Sequence, residues 1–450
     1  MNVAVLDIGK TNVKFAVFDA LGKLLFERQT KNIVLNSPPY PHFDVERTWN
    51  FLGESLREAA IQFEIETLVP TTHGASGAVM NDDGLALPIM DYEFAGVDVI
   101  SERYNKLRDP FKKTFSPSLT VGLNWGRQLA YAAWQHEAEF AKATHIITYP
   151  QYWSWRLTGI FANDICSLGT HTDLWLPLES KPSHLADQLG VSAKLAKVVA
   201  PWTEIGLISK PVAHEFNIAP TIKILNGIHD SNASLLPFLG AWKKPFTLFS
   251  TGTWVITMAI GHSLDSLDPA LDMLANIDAE GRPIACANFM GGREYGAIAQ
   301  DCSNPPALGD IEELINTNIF ALPSFSPGSG PYAARRGEII GPLKPEQRAS
   351  LATLYCALMC VKRLEDLNVT EGDIIVDGNF AQNAVLCSLI ATLKPTQNVY
   401  AARDHSGTAR GAAILAHWHE AREPVQTTHI EAANLSGLQD YYEKWKAMIG

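Results

Sequence analysis

The sequence predicts a two-domain α/β protein, a duplicated unit with a ligand cleft between its halves. Three observations predict it. The chain has 450 residues, 46% of them hydrophobic, more than a single core ordinarily needs. Each half opens on the same device, a strand, a Gly/Thr turn and a second strand. Between the halves, Pro237, Gly240, Lys243, Lys244 and Pro245 make the best linker, which divides the chain into domains 1–240 and 241–450.

The elements follow in order. Val3, Val5, Leu6 and Ile8 form an apolar strand. Gly9-Lys10-Thr11-Asn12 turns it into a second strand, Val13 to Phe18, and Asp19 to Gly22 turns that into a third. Trp49, Leu52, Leu56, Ala59, Ala60 and Phe63 recur at helical spacing, predicting an amphipathic helix over 45–63. A strand over 67–72, a short hairpin through Asn81-Asp82-Asp83-Gly84, a helical region near 125–142 and a helix over 152–157 closed by Thr158-Gly159 follow. In the second half, Pro245 to Ser250 is a strand, Thr251-Gly252-Thr253 its turn, and Trp254 to Met258 the returning strand. A long helix from about Pro345 to Leu367 and a strand over 373–377 complete that domain.

Composition excludes several classes. A net charge of -12 argues against nucleic acid or an anionic membrane as the main partner. No apolar run approaches the ~18 residues of a membrane span. The first residues enter a strand directly, without the basic and apolar regions of a leader, so a cytoplasmic protein is expected. Of the six cysteines, only Cys356 and Cys360 are close, at helical spacing within an apolar run, which reads as core packing.

Five segments could carry chemistry. Asp7-Ile8-Gly9-Lys10-Thr11-Asn12 invites a Walker A reading, but Ala4 stands where that motif needs glycine and a strand, not a helix, follows Thr11. Two readings remain: an exposed turn, or a tight hairpin whose backbone N–H groups and Thr11 hydroxyl approach ATP phosphates while Asp7 holds hydrated Mg²⁺. Thr251-Gly252-Thr253 offers the same choice, and its pairing with the first hairpin favours phosphate, because phosphoryl transfer depends on charge stabilisation from several sides. In Gly227 to Ser234, Asp230 stands at a strand-to-helix junction, either as a helix cap or as a base within reach of an acceptor hydroxyl. Asp377-Gly378-Asn379-Phe380-Ala381-Gln382-Asn383 is a strand–helix loop whose glycine lets backbone approach a flat ring or ribose. Arg403 to Ala413 reads mainly as close helix packing.

Together these segments resemble the FGGY carbohydrate kinases over nearly the whole chain. Asp7, Gly9 and Thr11 match the family's opening hairpin, where many members carry Thr or Ala in place of Lys10. Tyr149 to Gly159 resembles its Pro-x-Tyr…Arg-Leu-Thr-Gly stretch, followed by Asp164. Gly227 to Ala233 matches the segment of the catalytic aspartate, which selects Asp230 as the base. Thr251, Gly252 and Thr253 match the second phosphate motif. Gly378, Asn379, Gln382 and Asn383 lie where the family holds the nucleoside, and Arg410 to Ala413 resembles its terminal Gly-Ala-Ala segment.

The resemblance implies two actin-like ATPase, ribonuclease-H-like domains with an interdomain active-site cleft binding ATP and Mg²⁺. On the cofactor side it implies Gly9, Lys10, Thr11, Asn12, Thr251, Gly252, Thr253, Gly378, Asn379, Gln382 and Asn383, with Asp7 for the metal. Ser250 to Trp254, His229-Asp230 and Asn124-x-x-x-Gln128 are closer to L-rhamnulose and L-fuculose kinases than to glycerol kinases. Thr71 to Ala78 resembles the fuculose type, although His73 resembles the Met-His-Gly of xylulose kinases and Ser76 replaces an acidic residue. His73, Gly74, Asp91, Asn124, Gln128, His229 and Asp230 are the substrate-side residues this implies. Trp49 and Trp125 fit core and pocket wall equally. The expected activity is transfer of the ATP γ-phosphoryl group to a small ketose, with a polyol or sugar acid, or a non-catalytic actin-like sensor, as alternatives. Sugar and ATP are the expected partners, without nucleic acid or membrane, and a homodimer stays open.

Overall fold

The computed structural model describes residues 2–403, 407–420 and 425–450. The chain divides into two compact units. The first comprises Met1–Gly240, Ala275–Pro283 and Gly407–Arg422; the second comprises Ala241–Leu274, Ile284–Ser406 and Glu423–Gly450. The main division falls after Gly240, and two later segments return to the first unit. Of the fifth candidate segment, residues 404–406 lie outside the described residues.

The first unit is built on β1 (Asn2–Ile8), β2 (Asn12–Phe18), β3 (Leu24–Lys31), β4 (Ile65–Thr72), β5 (Glu204–Leu207), β6 (Lys223–Leu225) and β7 (Ile228–His229). Their order is β3-β2-β1-β4-β6-β5, with β7 also on β4. The sense is antiparallel from β3 to β1, parallel from β1 through β4 to β6 and β7, and antiparallel again at β5. The second unit repeats this arrangement with β8 (Phe246–Thr251), β9 (Val255–Ile260), β10 (Pro283–Phe289), β11 (Asp373–Gly378), β12 (Val399–Ala402) and β13 (Thr427–Ile430). They run β10-β9-β8-β11-β12-β13, with β8, β11 and β12 parallel and the flanking pairs antiparallel. Continuous apolar runs supply the central strands, buried on both faces: Val3 to Leu6 in β1 and Ile374 to Val376 in β11.

Helices cover these sheets with apolar faces. In α1 (Val45–Gln62), Trp49, Leu52, Leu56 and Ala59 are buried, and Asp44 caps its start by accepting from the Arg47 N–H. The predicted helical region near 125–142 is α2 (Trp125–Gln135) followed by a short turn, Glu137–Phe140. The helix α3 (Tyr149–Thr158) ends at Gly159 with φ 81°, the left-handed stop that glycine adopts without strain. In the first unit, α4 (Asp230–Leu239) leaves β7 directly. In the second, α5 (Arg348–Asp366) buries Cys356 and Cys360, both free thiols, as the sequence suggests, and α6 (Ala384–Leu393) follows β11. Trp49 and Trp125 both belong to hydrophobic cores.

Candidate active site

Three neighbouring parallel strands of the first unit end together, at the carboxyl edge where α/β sheets carry ligands. β1 brings Asp7, paired across the ladder with Thr71 of β4. β4 runs on into His73 and Gly74, and the His73 N–H donates to the Ile8 carbonyl at 2.8 Å. β7 delivers His229 beside Thr72 and then Asp230 as the first residue of α4. The cap position is thus His229, and Asp230 stands one residue inside the helix.

Asp230 Oδ1 accepts from the Ser231 N–H at 2.6 Å, and His229 Nε2 lies 3.2 Å from the same oxygen. The side chain keeps 28% of its surface exposed. Burial raises its pKa to about 6, against the lowering effect of the Ser231 bonds. The Asp7 carboxylate has no hydrogen-bond partner among the described residues. Burial, and then the charge of Asp230, raise it to about 7 although Lys14 pulls it down. Two carboxyl groups that oppose each other's ionisation leave a deficit of positive charge between them.

The His229 ring is fixed by a chain of hydrogen bonds. The Asn232 amide nitrogen donates to the Ile277 carbonyl at 2.5 Å, so its Oδ1 faces His229 Nδ1, 2.8 Å away. Nδ1 therefore carries the hydrogen, and Nε2 of the neutral ring presents a lone pair to Asp230. Burial lowers the His229 pKa, which favours that neutral form. Gly74 makes the placement feasible, since a Cβ there would come within 2.7 Å of His229 Nε2. His73 follows the same logic. Its Nδ1 donates to the Gly74 carbonyl at 2.9 Å, its Nε2 is buried without a partner, and burial brings its pKa down to about 4.

Around these groups stand residues that the sequence did not single out. The His73 ring lies 5.0 Å from Phe43 and 5.1 Å from Tyr92. Lys10 reaches out of the first hairpin over the Tyr92 ring, 4.7 Å from its centroid, and bonds Asp91 and Glu93. Thr11 at the tip is exposed, Asn12 accepts from Lys31, and the Gly9 N–H is taken by the Asn12 carbonyl. Gln128 spans the Ala75 and Gly122 carbonyls with its amide nitrogen. Asn124 corrects its expected substrate role: it is wholly buried, donating to Ser116, Pro117 and His171 while accepting from the Leu119 N–H. That set of bonds makes it a brace for the 116–124 loop.

In the second unit the ends of β8 and β11 meet. Gly378 has φ 83°, and a Cβ on it would lie 2.0 Å from the Thr251 carbonyl oxygen. Thr251 Oγ1 donates to the Asp377 carbonyl at 2.5 Å and accepts from the Phe380 N–H at 2.9 Å. Its hydroxyl therefore pins two loops together and does not face a phosphate. Thr253 is exposed. Asn383 caps α6 through the Leu386 N–H and donates to Thr353, and it also lines the cavity beside these loops. Beside these loops lies a cavity of about 560 Å³ lined by Gly252, Gly292, Tyr295, Pro305, Asn379 and Gln382, among others. Its apolar walls and few amides suit a flat heterocycle and a ribose. Among the described residues no group of three or more His, Cys, Asp or Glu is placed to hold a metal.

The Carbohydrate kinase FGGY, C-terminal domain family matches residues 243–424. A solved carbohydrate kinase from Novosphingobium aromaticivorans is 33% identical, with a TM-score of 0.92 over 99% of this chain and 100% of that one. This chain belongs to the FGGY carbohydrate kinases. Its actin-like, ribonuclease-H-like fold recurs in other solved FGGY kinases. A ligand-bound xylulose kinase from Lactobacillus acidophilus is 16% identical with a TM-score of 0.80, covering 99% of this chain and 97% of its own. An L-fuculokinase of Salmonella typhi is 22% identical over 273 residues, 59% of this chain. The match spans 57% of that relative's length, little more than half.

In this FGGY chain, sequence reasoning missed Gly292, Tyr295, Pro305 and Pro306 on the cavity side. A signal was present: Met290-Gly291-Gly292 follows a strand and opens a helix, Gly291–Ala299. A Cβ on Gly292 would lie 2.2 Å from the Gly252 carbonyl oxygen, so this glycine lets the helix close on the second turn. Phe43 was missed on the acid side, and Tyr92 and Glu93, which adjoin Asp91 in the segment compared with the family's sugar-contacting stretch, were given no role because nothing local links them to Lys10.

Proposed function

We propose that this protein is an ATP-dependent sugar kinase that phosphorylates a small ketose, with Asp230 as the base. The observation that carries the reading is Asp230 itself. It is a partly exposed carboxylate at a strand-to-helix junction, with one oxygen bound by Ser231 N–H and a fixed imidazole lone pair beside it. A carboxylate poised near pH 6 accepts a proton at neutral pH and is basic enough to assist its removal. The acceptor hydroxyl loses its proton to Asp230 as its oxygen bonds to the γ-phosphorus, and the bond to the β-phosphate oxygen breaks to release ADP. His229 Nε2 then accepts a hydrogen bond from the newly protonated carboxyl.

The second unit's cavity would take the nucleoside of ATP, with Tyr295 and the proline pair as walls and the carboxamides at its polar edge. Asp7 fits Mg²⁺ because its carboxylate is unpartnered and its ionisation is opposed by a neighbouring acid. The rest of the coordination would come from water and phosphate oxygens, as Mg²⁺ prefers. Bound there, the ion supplies neutralisation of phosphate charge. Asp91, whose internal bonds fall on Oδ1, and His73 Nε2 would accept hydrogen bonds from hydroxyls of the acceptor. An ATP-consuming activity of this kind fits the cytoplasm, and no helix among the described residues is long and apolar enough to cross a membrane.

L-Fuculose and xylulose are the first acceptors to try, given the names of the relatives, and L-rhamnulose follows from the resemblance at 250–254, His229-Asp230 and Asn124-x-x-x-Gln128. The test is ADP release by the purified protein against these ketoses, polyols and aldonates, with Asp230→Ala beside it. A ketose-dependent release that disappears in the variant while nucleotide still binds is expected. Near-normal turnover in Asp230→Ala would remove the assignment.

A further inference from the structure

Lys10 sits in the Gly-Lys-Thr turn, where the sequence invites a phosphate role, yet its ammonium is committed elsewhere. It bonds Asp91 Oδ1 and lies 3.1 Å from Glu93 Oε2. It also stands 4.7 Å from the Tyr92 ring centroid and 5.2 Å from that of Phe43, positions favourable for a cation over an aromatic face. Only 23% of its side chain is exposed, and 11% of that of Asp91. The 91–93 loop that receives it is itself fixed. The Asp91 N–H donates to the Pro41 carbonyl, the Phe94 N–H donates to Asp91, and Asp91 Oδ1 also accepts from the Glu93 N–H at 3.1 Å.

One oxygen of Asp91 therefore carries both internal bonds, and Oδ2 is left to meet a ligand. Between two carboxylates and two rings, the ammonium has no reason to move to a phosphate, which would leave Asp91 and Glu93 repelling each other without a counter-charge. We propose that Lys10 is a positioning residue of the acceptor site: it holds the Asp91 carboxylate so that Oδ2 reads one hydroxyl of the sugar, and it does not bind the nucleotide. The inference rests on the kinase reading above. It ties the turn of the first hairpin to the loop 81 residues away.

The experiment compares wild type, Lys10→Met and Lys10→Arg by steady-state kinetics in both substrates, by ADP titration and by thermal melting. Lys10→Met should raise the acceptor KM roughly 10- to 100-fold, the loss of one hydrogen bond to a charged group, with the ATP KM and ADP affinity within about twofold. Lys10→Arg, which keeps the charge, should recover much of the acceptor KM. A rise in ATP KM or a weaker ADP affinity with the acceptor KM unchanged would make Lys10 a phosphate ligand and overturn the proposal. A lower melting temperature with both KM values unchanged would overturn it as well. If wild type shows no acceptor-dependent ADP release, the kinase reading fails and this assignment with it, whereas a loss of ADP affinity in Lys10→Met beside an active wild type refutes the assignment alone.

Discussion

Replacing Asp7 by asparagine should make the ligand-free protein more stable at pH 8 while abolishing its response to magnesium nucleotide. Burial, and next the charge of Asp230, raise this carboxyl from 3.8 to about 7. Because the folded state binds the proton more tightly, the stability associated with the neutral carboxyl is fully present below 3.8. It is lost as pH rises to about 7. At about 1.4 kcal/mol per pH unit, ionising Asp7 in the fold at pH 8 opposes folding by at most ~4 kcal/mol. The side chain keeps partial contact with water, so about half of that, ~2 kcal/mol, is the realistic figure. Asparagine has the same shape and carries no charge to oppose.

For a unit of this size ~2 kcal/mol corresponds to a rise in melting temperature of roughly 5 °C. The assay is thermal melting of wild type and Asp7→Asn from pH 4.5 to 8, without ligand and then with Mg²⁺ and ADP. The gap should shrink severalfold at pH 4.5, where folded wild type already holds the proton. With ligand the order should invert, because only wild type gains the binding energy. An Asp7→Asn protein that melts at or below wild type at pH 8, or a gap that ignores pH, would refute the electrostatic argument.

Asp230→Asn should lower kcat by about 10²- to 10⁴-fold, and wild-type kcat should fall below about pH 6 as the carboxyl takes up its proton; a flat acid limb would contradict the role of base. Gly378→Ala should destabilise the second unit by more than ~2 kcal/mol, because its Cβ would lie 2.0 Å from a backbone oxygen at φ 83°. An unchanged melting temperature and ADP affinity would mean that the loop relaxes freely. Asn232→Leu keeps the side-chain bulk but frees the His229 tautomer, so kcat should drop about tenfold with the acceptor KM steady. Wild-type kcat in that variant would show that the ring needs no lock.

The sheets were legible because their signals are local. Short apolar runs and Gly/Thr turns mark β1–β2 and β8–β9 wherever the strands later pair. The junction at Asp230 was legible for the same reason: an apolar strand meets small polar residues that start a helix. The destinations of polar side chains were not. Asn124 and Thr251 sit in motifs that suggest ligand contact, yet their hydrogen bonds go to His171 and the Phe380 N–H, partners 47 and 129 residues away. Lys10 is the sharpest case, since its turn reads as phosphate chemistry and its charge belongs to Asp91. Composition marked the crossing after Gly240 through prolines and glycine, but no such punctuation marks the returns at 275–283 and 407–422, which are set by packing.

On the proposed reading, the two carboxyls of the first unit can keep a metal-binding role and a basic role apart. Both are raised, and burial is the largest cause for each. For Asp7 the neighbouring charge of Asp230 adds to burial, and a divalent cation would cancel both effects and hold it ionised as a ligand. For Asp230 burial is the main raising cause, opposed by the Ser231 bonds, so its basicity belongs to the folded chain even after a cation has cancelled the mutual repulsion of the pair. Charge arriving with a nucleotide complex would thus separate the pair, committing Asp7 to the metal while leaving Asp230 the group that can take a proton. His229, neutral and with its lone pair turned toward Asp230, adds to that separation by favouring the protonated carboxyl on one side alone.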